Sequence, residues 1–215
     1  MTQAASSAQP PVAEPATGRV VGDDALARLM AGNERFLRGE PRVSRAPSEV
    51  LAGLAEGQRP YATILGCSDS RVPPELIFDA DFGDLFIIRV AGNVISSEVV
   101  GSIQYAAAHL GTGLIVVLGH EGCGAVQAAL AAKFQGVQER ARIAVLLHDI
   151  APGLDGVDRD EAPAEQLSHA VEANVIWSIR QLAALPEARE PLADGRLRIV
   201  GAVCETSTGR VRLIA

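Results

Sequence analysis

Aromatic residues make up only 4% of this 215-residue chain, and tryptophan occurs once. That scarcity leaves no platform on which unpaired bases would stack. Positive charge is also short: 19 Lys and Arg stand against 26 Asp and Glu, a formal net charge of −7. Neither a nucleic acid nor an anionic membrane surface is the expected partner of such a chain. No apolar run approaches the roughly 18–20 residues of a membrane-crossing helix, and Leu114–Leu118 is only of strand length. Three cysteines, an odd number, give no disulfide framework. They fit a reducing compartment, where a patterned cysteine serves as a metal ligand or a nucleophile, so a cytoplasmic location is expected.

What is present suffices for one folded domain: 48% hydrophobic and 21% charged residues. The opening MTQAASSAQPPVAEPATGRVVG has no basic stretch followed by an apolar one, so it does not read as a secretory signal. Residues 1–21 read as a flexible tail before a single domain over 22–215. From Asp23, a plausible N-cap, Leu26, Leu29, Met30 and Leu37 mark one face of a helix that Gly39 stops. A second helix is expected from Ser48 to Gly57. YATILG, LFIIRV and LIVVLG are near-continuous apolar runs, the pattern of parallel strands covered on both faces. A serine-capped helix fills 96–111, and helical patterns follow near 123–133, 139–150 and 163–185. LRIVGAVCE and RVRLI close the chain as a hairpin through Thr206–Gly209. The expected fold class is α/β, a mostly parallel sheet flanked by helices, with an antiparallel C-terminal edge strand and an N-terminal helical arm.

Two loops carry the chemistry, and each directly follows a strand: Cys67-Ser68-Asp69-Ser70-Arg71 and His120-Glu121-Gly122-Cys123-Gly124. Ligands in open α/β sheets bind at the carboxyl ends of strands, so both loops are expected to meet at one site. Cys67, His120 and Cys123 then offer two thiolates and one imidazole, a donor set that selects zinc. Spaced i, i+3, His120 and Cys123 are expected on one side of a helical turn. Three protein ligands leave the fourth position open, as in a catalytic site, and Cys204 reads as an ordinary buried residue in a late strand. His109, His148 and His169 fall on helices without ligand partners. Asp69 and Arg71 suit a carboxylate–guanidinium pair. Such a pair serves as a plain salt bridge, or it orients a carboxylate toward a metal-bound water; with Arg71 released, Asp69 would itself reach the metal.

CSDSRVPPELIFD, GDLFIIRVAGN and GHEGCGAV resemble the signature segments of the β-class carbonic anhydrases, and LMAGNERFLRG and STGRVRLI fit the same family. The resemblance covers residues 23 to 215. It implies zinc-dependent, reversible hydration of carbon dioxide to bicarbonate and a proton. By motif position it makes Cys67, His120 and Cys123 the zinc ligands and Asp69 with Arg71 the catalytic dyad. It makes Gln58 the glutamine that reaches into a neighbouring subunit's site, Phe86 and Tyr105 walls of an apolar pocket, and Gly124 the backbone donor beside the zinc. It further implies a homodimer, with pairing into a tetramer open, whose N-terminal arm packs across the second subunit. Some members hold an inhibitory bicarbonate with a tryptophan, an arginine and a tyrosine; the matching places here are Ile64, Arg89 and Cys204, so no such site is expected. Two other readings stay open: a hydrolase of carbon disulfide or carbonyl sulfide on the same scaffold, and a non-catalytic zinc–thiol redox module.

Overall fold

The computed structural model describes residues 21–42 and 48–215. The expected tail lies outside the described residues, save that Val21 already begins the first helix. Five strands form one sheet: β1 (Ala62–Gly66), β2 (Leu85–Arg89), β3 (Leu114–His120), β4 (Arg198–Cys204) and β5 (Val211–Leu213). Their order is β2-β1-β3-β4-β5; the first four are parallel and β5 runs antiparallel to β4. The helices are α1 (Val21–Arg38), α2 (Ser48–Leu54), α3 (Pro74–Ile77), α4 (Ser97–Leu110), α5 (Gly124–Gln135), α6 (Ala141–Ile150), α7 (Pro163–Ala184) and α8 (Pro186–Ala193). Every residue of β1 and β3 is buried, which is why these strands read as unbroken apolar runs. Ser96 caps α4 by accepting the Val99 N–H, and Gly111 ends it in the left-handed conformation.

The sheet separates two apolar layers. On one face Leu65, Ile115, Val117 and Val203 pack with Ile103 of α4, Val126 of α5, Ile150 of α6 and Val175 of α7. On the other, Ile64, Val116, Leu118 and Ala202 pack with Leu26 and Leu29 of α1, Ile77 of α3 and the adjoining Phe78.

The second layer shows where the apolar stripe of the N-terminal arm goes within the chain: α1 covers its own sheet, with Leu29 fully buried. Gly32 lets it approach closely, since a Cβ there would fall 1.8 Å from the Phe78 carbonyl oxygen. Arg35 Nε donates to Asp79 Oδ2 at 2.5 Å, and Arg28 Nη2 to Asp84 Oδ1 at 2.6 Å. Asn33, buried, donates to the carbonyls of Ile77 (3.0 Å) and Gly209 (2.8 Å) and accepts the Val211 N–H (2.9 Å). An amphipathic stripe states that a face must be buried, not which surface buries it. Here the nearest uncovered surface is the back of the chain's own sheet.

Replacing Asn33 by alanine strands the Val211 N–H, so we expect a loss of about 1–3 kcal/mol in denaturant unfolding. An unchanged unfolding midpoint would show that α1 is not anchored to β5 as described.

Candidate metal centre

From β1 the chain runs to β2 on one side, then to β3 on the other, so the sheet order switches at β1 and β3. Loops leaving the carboxyl ends of these strands diverge, and the crevice between them is where such sheets bind ligands. Cys67 follows β1 immediately and His120 ends β3. Gly66 is in register with Leu118, which sets Cys67 beside the end of β3. After His120 the chain turns through Glu121 and Gly122, the latter at φ +63°, and Cys123 becomes the extended N-cap of α5. The expected helical turn linking His120 and Cys123 is therefore a tight strand-to-helix turn. The left-handed Gly122 reverses the chain before the helix begins.

This arrangement places the two sulfurs 4.0 Å apart, and the ligand atoms of Cys67, His120 and Cys123 within 4.8 Å of one another. All three residues are buried. His120 Nδ1 faces the Glu121 carbonyl at 3.0 Å; a carbonyl only accepts, so Nδ1 carries the proton and Nε2 the lone pair. That Nε2 is buried and has no hydrogen-bond partner among the described residues, with Asp69 Oδ2 3.8 Å away. The hydrogen bond from Cys123 pulls the Cys67 thiol below its ordinary range, helped by the Gly92 N–H at 3.4 Å, and lifts the Cys123 thiol above it. Burial disfavours the His120 cation, but the nearby Cys67 sulfur, the Glu121 carbonyl and the Asp69 charge outweigh it and raise the imidazole pKa. Two adjacent buried sulfurs beside an unpartnered lone pair make a site fitted to a cation with soft and imidazole donors. A tetrahedral zinc with Zn–S of roughly 2.3 Å needs sulfurs about 3.8 Å apart, close to what the chain provides.

Asp69 and Arg71 do pair. Arg71 Nε donates to Oδ1 at 2.9 Å and Nη2 to Oδ2 at 2.8 Å, while the Arg71 N–H also meets Oδ1 at 2.9 Å. These bonds hold the Asp69 carboxyl well below the usual carboxylate range. Arg71 Nη2 also donates to the Gly122 carbonyl at 3.2 Å, tying the pair to the second loop. Arg89, considered in the sequence only for a bicarbonate site, has a different task here. Its Nε donates to the Cys67 carbonyl (2.8 Å) and its Nη2 to the Asp69 carbonyl (2.5 Å), clamping the loop that bears both. The signal was its place at the end of β2, in register with Gly66.

Cys204 and Ile64 lie in the apolar layer that α1 covers, on the face away from Cys67 and Cys123. Gly124 opens α5 with its backbone exposed and nothing within 4 Å of where a Cβ would stand. Gln58 is exposed beyond α2. Phe86 and Tyr105 meet with ring centroids 6.2 Å apart, Tyr105 stacking further on His109 at 4.9 Å. Phe86 lies beside Thr63, four residues or about 13 Å of strand from Cys67, so this aromatic cluster is not brought to the chain's own metal centre.

A carbonic anhydrase family model matches residues 62–211. The chain is 42% identical over 190 residues to carbonic anhydrase 2 of Mycobacterium tuberculosis, covering 86% of this chain and 89% of that one. The structure of the β-carbonic anhydrase CcaA superposes with a TM-score of 0.71 at 27% identity, over 89% of this chain and 92% of the other. The chain belongs to the β-carbonic anhydrases. A tetrameric β-carbonic anhydrase from Sordaria macrospora is also similar, with a TM-score of 0.68 and 25% identity over 90% of this chain and 98% of that one. The activity of this family is the hydration of carbon dioxide, and the chain is an enzyme of that kind. Among the described residues no helix is long and apolar enough to cross a membrane.

The Asp69 carboxyl has its pKa lowered on folding, so its pairing stabilises the fold above the ordinary carboxylate pKa of about 4 and ceases to do so as pH falls through the lower folded value. Arg71→Ala should therefore destabilise the metal-free protein at pH 7, with the gap to the parent closing in strong acid. Denaturation midpoints compared at the two pH values test this; a gap independent of pH would contradict it.

Proposed function

We propose that this carbonic anhydrase uses one zinc ion per chain, held by Cys67, His120 and Cys123, with Asp69 and Arg71 as the catalytic dyad. The observation that carries the reading is the buried, unpartnered Nε2 of His120, set between two cysteines and 3.8 Å from a carboxylate that arginine holds still. Zinc bound there supplies Lewis acidity that brings the pKa of a water from 15.7 toward about 7, somewhat higher with two thiolate ligands than with three histidines.

The chain's own residues do the rest. Asp69 Oδ2, kept ionised and turned by Arg71, accepts a hydrogen bond from the attacking oxygen's proton and aims its lone pair at the carbon of carbon dioxide. Because the carboxyl stays below its usual range, it does not take that proton itself at neutral pH, and the proton leaves to buffer. We assign to the Gly124 N–H, at the start of α5, the role of donor to a bicarbonate oxygen. Carbon dioxide is small and apolar, so its pocket needs dry walls more than charge.

Those walls require a second copy. Phe86 and Tyr105 are half-buried to exposed and stand away from their own metal centre, and Gln58 points from an exposed segment. We assign all three to the pocket of a partner subunit in a homodimer, with further pairing to a tetramer as in the Sordaria macrospora enzyme. Three free cysteines suit the reducing cytoplasm.

Mixing two inactive variants tests both assignments. Asp69→Asn should lower hydration about 10²–10⁴-fold while keeping its metal. Gln58→Ala should be impaired as well. After mixed refolding, half the dimers are heterodimers with one complete site, so about a quarter of parental activity should return. No recovery on mixing would place Gln58 in its own chain's site, and a fully active Asp69→Asn would make the dyad merely structural.

A further inference from the structure

The turn between β2 and α4 passes under the metal centre, and it is held in an unusual shape. Gly92 adopts φ +67°, ψ +17°, and the next residue, Asn93, is also left-handed at φ +44° although it is not glycine. The Gly92 conformation directs its N–H to the Cys67 sulfur, 3.4 Å away. A side chain there would be strained at this φ and would have to push Ile150 aside, since a Cβ on Gly92 would lie 2.8 Å from Ile150 Cδ1 and 3.2 Å from Ala125 Cβ.

Two polar residues one turn apart on α7 hold this shape. Asn174 Nδ2 donates to the Gly92 carbonyl at 2.8 Å, and Ser178 Oγ donates to the Asn93 carbonyl at 3.1 Å. Ser178 Oγ also accepts from Asn93 Nδ2 at 3.4 Å. Both α7 residues are 1% exposed, on a helix whose neighbouring inward positions, Val171, Val175 and Leu182, are apolar. Asn174 Oδ1 is buried without a hydrogen-bond partner among the described residues. A buried amide with an unmatched oxygen is a net cost to the fold, because the desolvated acceptor loses water and gains nothing. Among the described residues, the one hydrogen bond of the Asn174 side chain goes to the Gly92 carbonyl.

We infer that Asn174, seconded by Ser178, is a positioning residue for the metal centre: by holding the Gly92 carbonyl it fixes the left-handed Gly92 backbone, whose N–H on the other side of the Cα then hydrogen-bonds the Cys67 thiolate. The inference rests on the zinc site proposed above. A hydrogen bond to a ligating sulfur draws electron density from it, weakens its donation and leaves the metal more acidic. Without the clamp, Gly92 relaxes out of the left-handed region, its N–H leaves the sulfur, and the sulfur becomes a stronger, less well-placed donor.

The test uses the full chain loaded with cobalt(II), whose sulfur-to-metal charge-transfer band reports the energy of the thiolate lone pairs. Asn174→Ala should move that band to longer wavelength and speed metal release to a chelator about 10-fold. Ser178→Ala should give a smaller shift in the same direction, and stands in should Asn174→Ala fold poorly. Leu182→Ala, which opens a cavity on the same helix, should lower thermal stability yet leave the band in place. Bands unmoved in both polar variants, with stability losses like that of Leu182→Ala, would reduce the clamp to packing. A parent protein showing no thiolate–cobalt band at all would overturn the zinc site along with the inference.

Discussion

A lone pair buried without a hydrogen-bond partner is costly to a fold, and in this chain that lone pair sits on His120 Nε2. Much of the surrounding architecture keeps it so. The Glu121 carbonyl takes the other ring proton, the left-handed Gly122 turns the chain away, and Asp69 is held back at 3.8 Å by Arg71. Were Arg71 absent, the carboxylate would be free to swing toward the same centre. In the zinc site proposed here, the Asp69–Arg71 pair has two tasks at once: to keep a coordination position clear and to keep a charged hydrogen-bond acceptor beside it.

The fold makes this inexpensive in residues. Parallel β1 and β3 adjoin at the switch in strand order, so two short loops suffice to bring three donors together. The remaining polar contacts brace those loops from below and behind. Arg89 grips two carbonyls of the first loop, and α7 reaches the turn after β2 through Asn174 and Ser178. A rigid sheet with braced loops is what a small, non-polar substrate demands, because carbon dioxide offers few handles by which to be oriented.

The strands and the donor set were legible in the sequence because their signals are local: apolar runs for β1, β2 and β3, and Cys67, His120 and Cys123 directly after two of them. The Asp69–Arg71 pair was legible for the same reason. What stayed hidden depends on distant surfaces. The stripe of Leu26 and Leu29 announced a buried face, but not that the chain's own sheet would cover it. The three-residue spacing of His120 and Cys123 allowed a helical turn, and only the backbone at Gly122 decides otherwise. Asn174 and Ser178 sit among apolar α7 positions, so polar residues on an inward stripe were the available sign; their target, a peptide more than eighty residues earlier, was not.

The central claim is that two cysteine sulfurs and one imidazole hold the metal while Asp69 does not displace the fourth ligand. X-ray absorption at the zinc K-edge, on the zinc-loaded enzyme at neutral pH, measures this most directly. The account predicts two sulfur scatterers at roughly 2.3 Å with one imidazole nitrogen and one further light atom at roughly 2.0 Å. A first coordination sphere of light atoms only, or with three sulfurs, would contradict it.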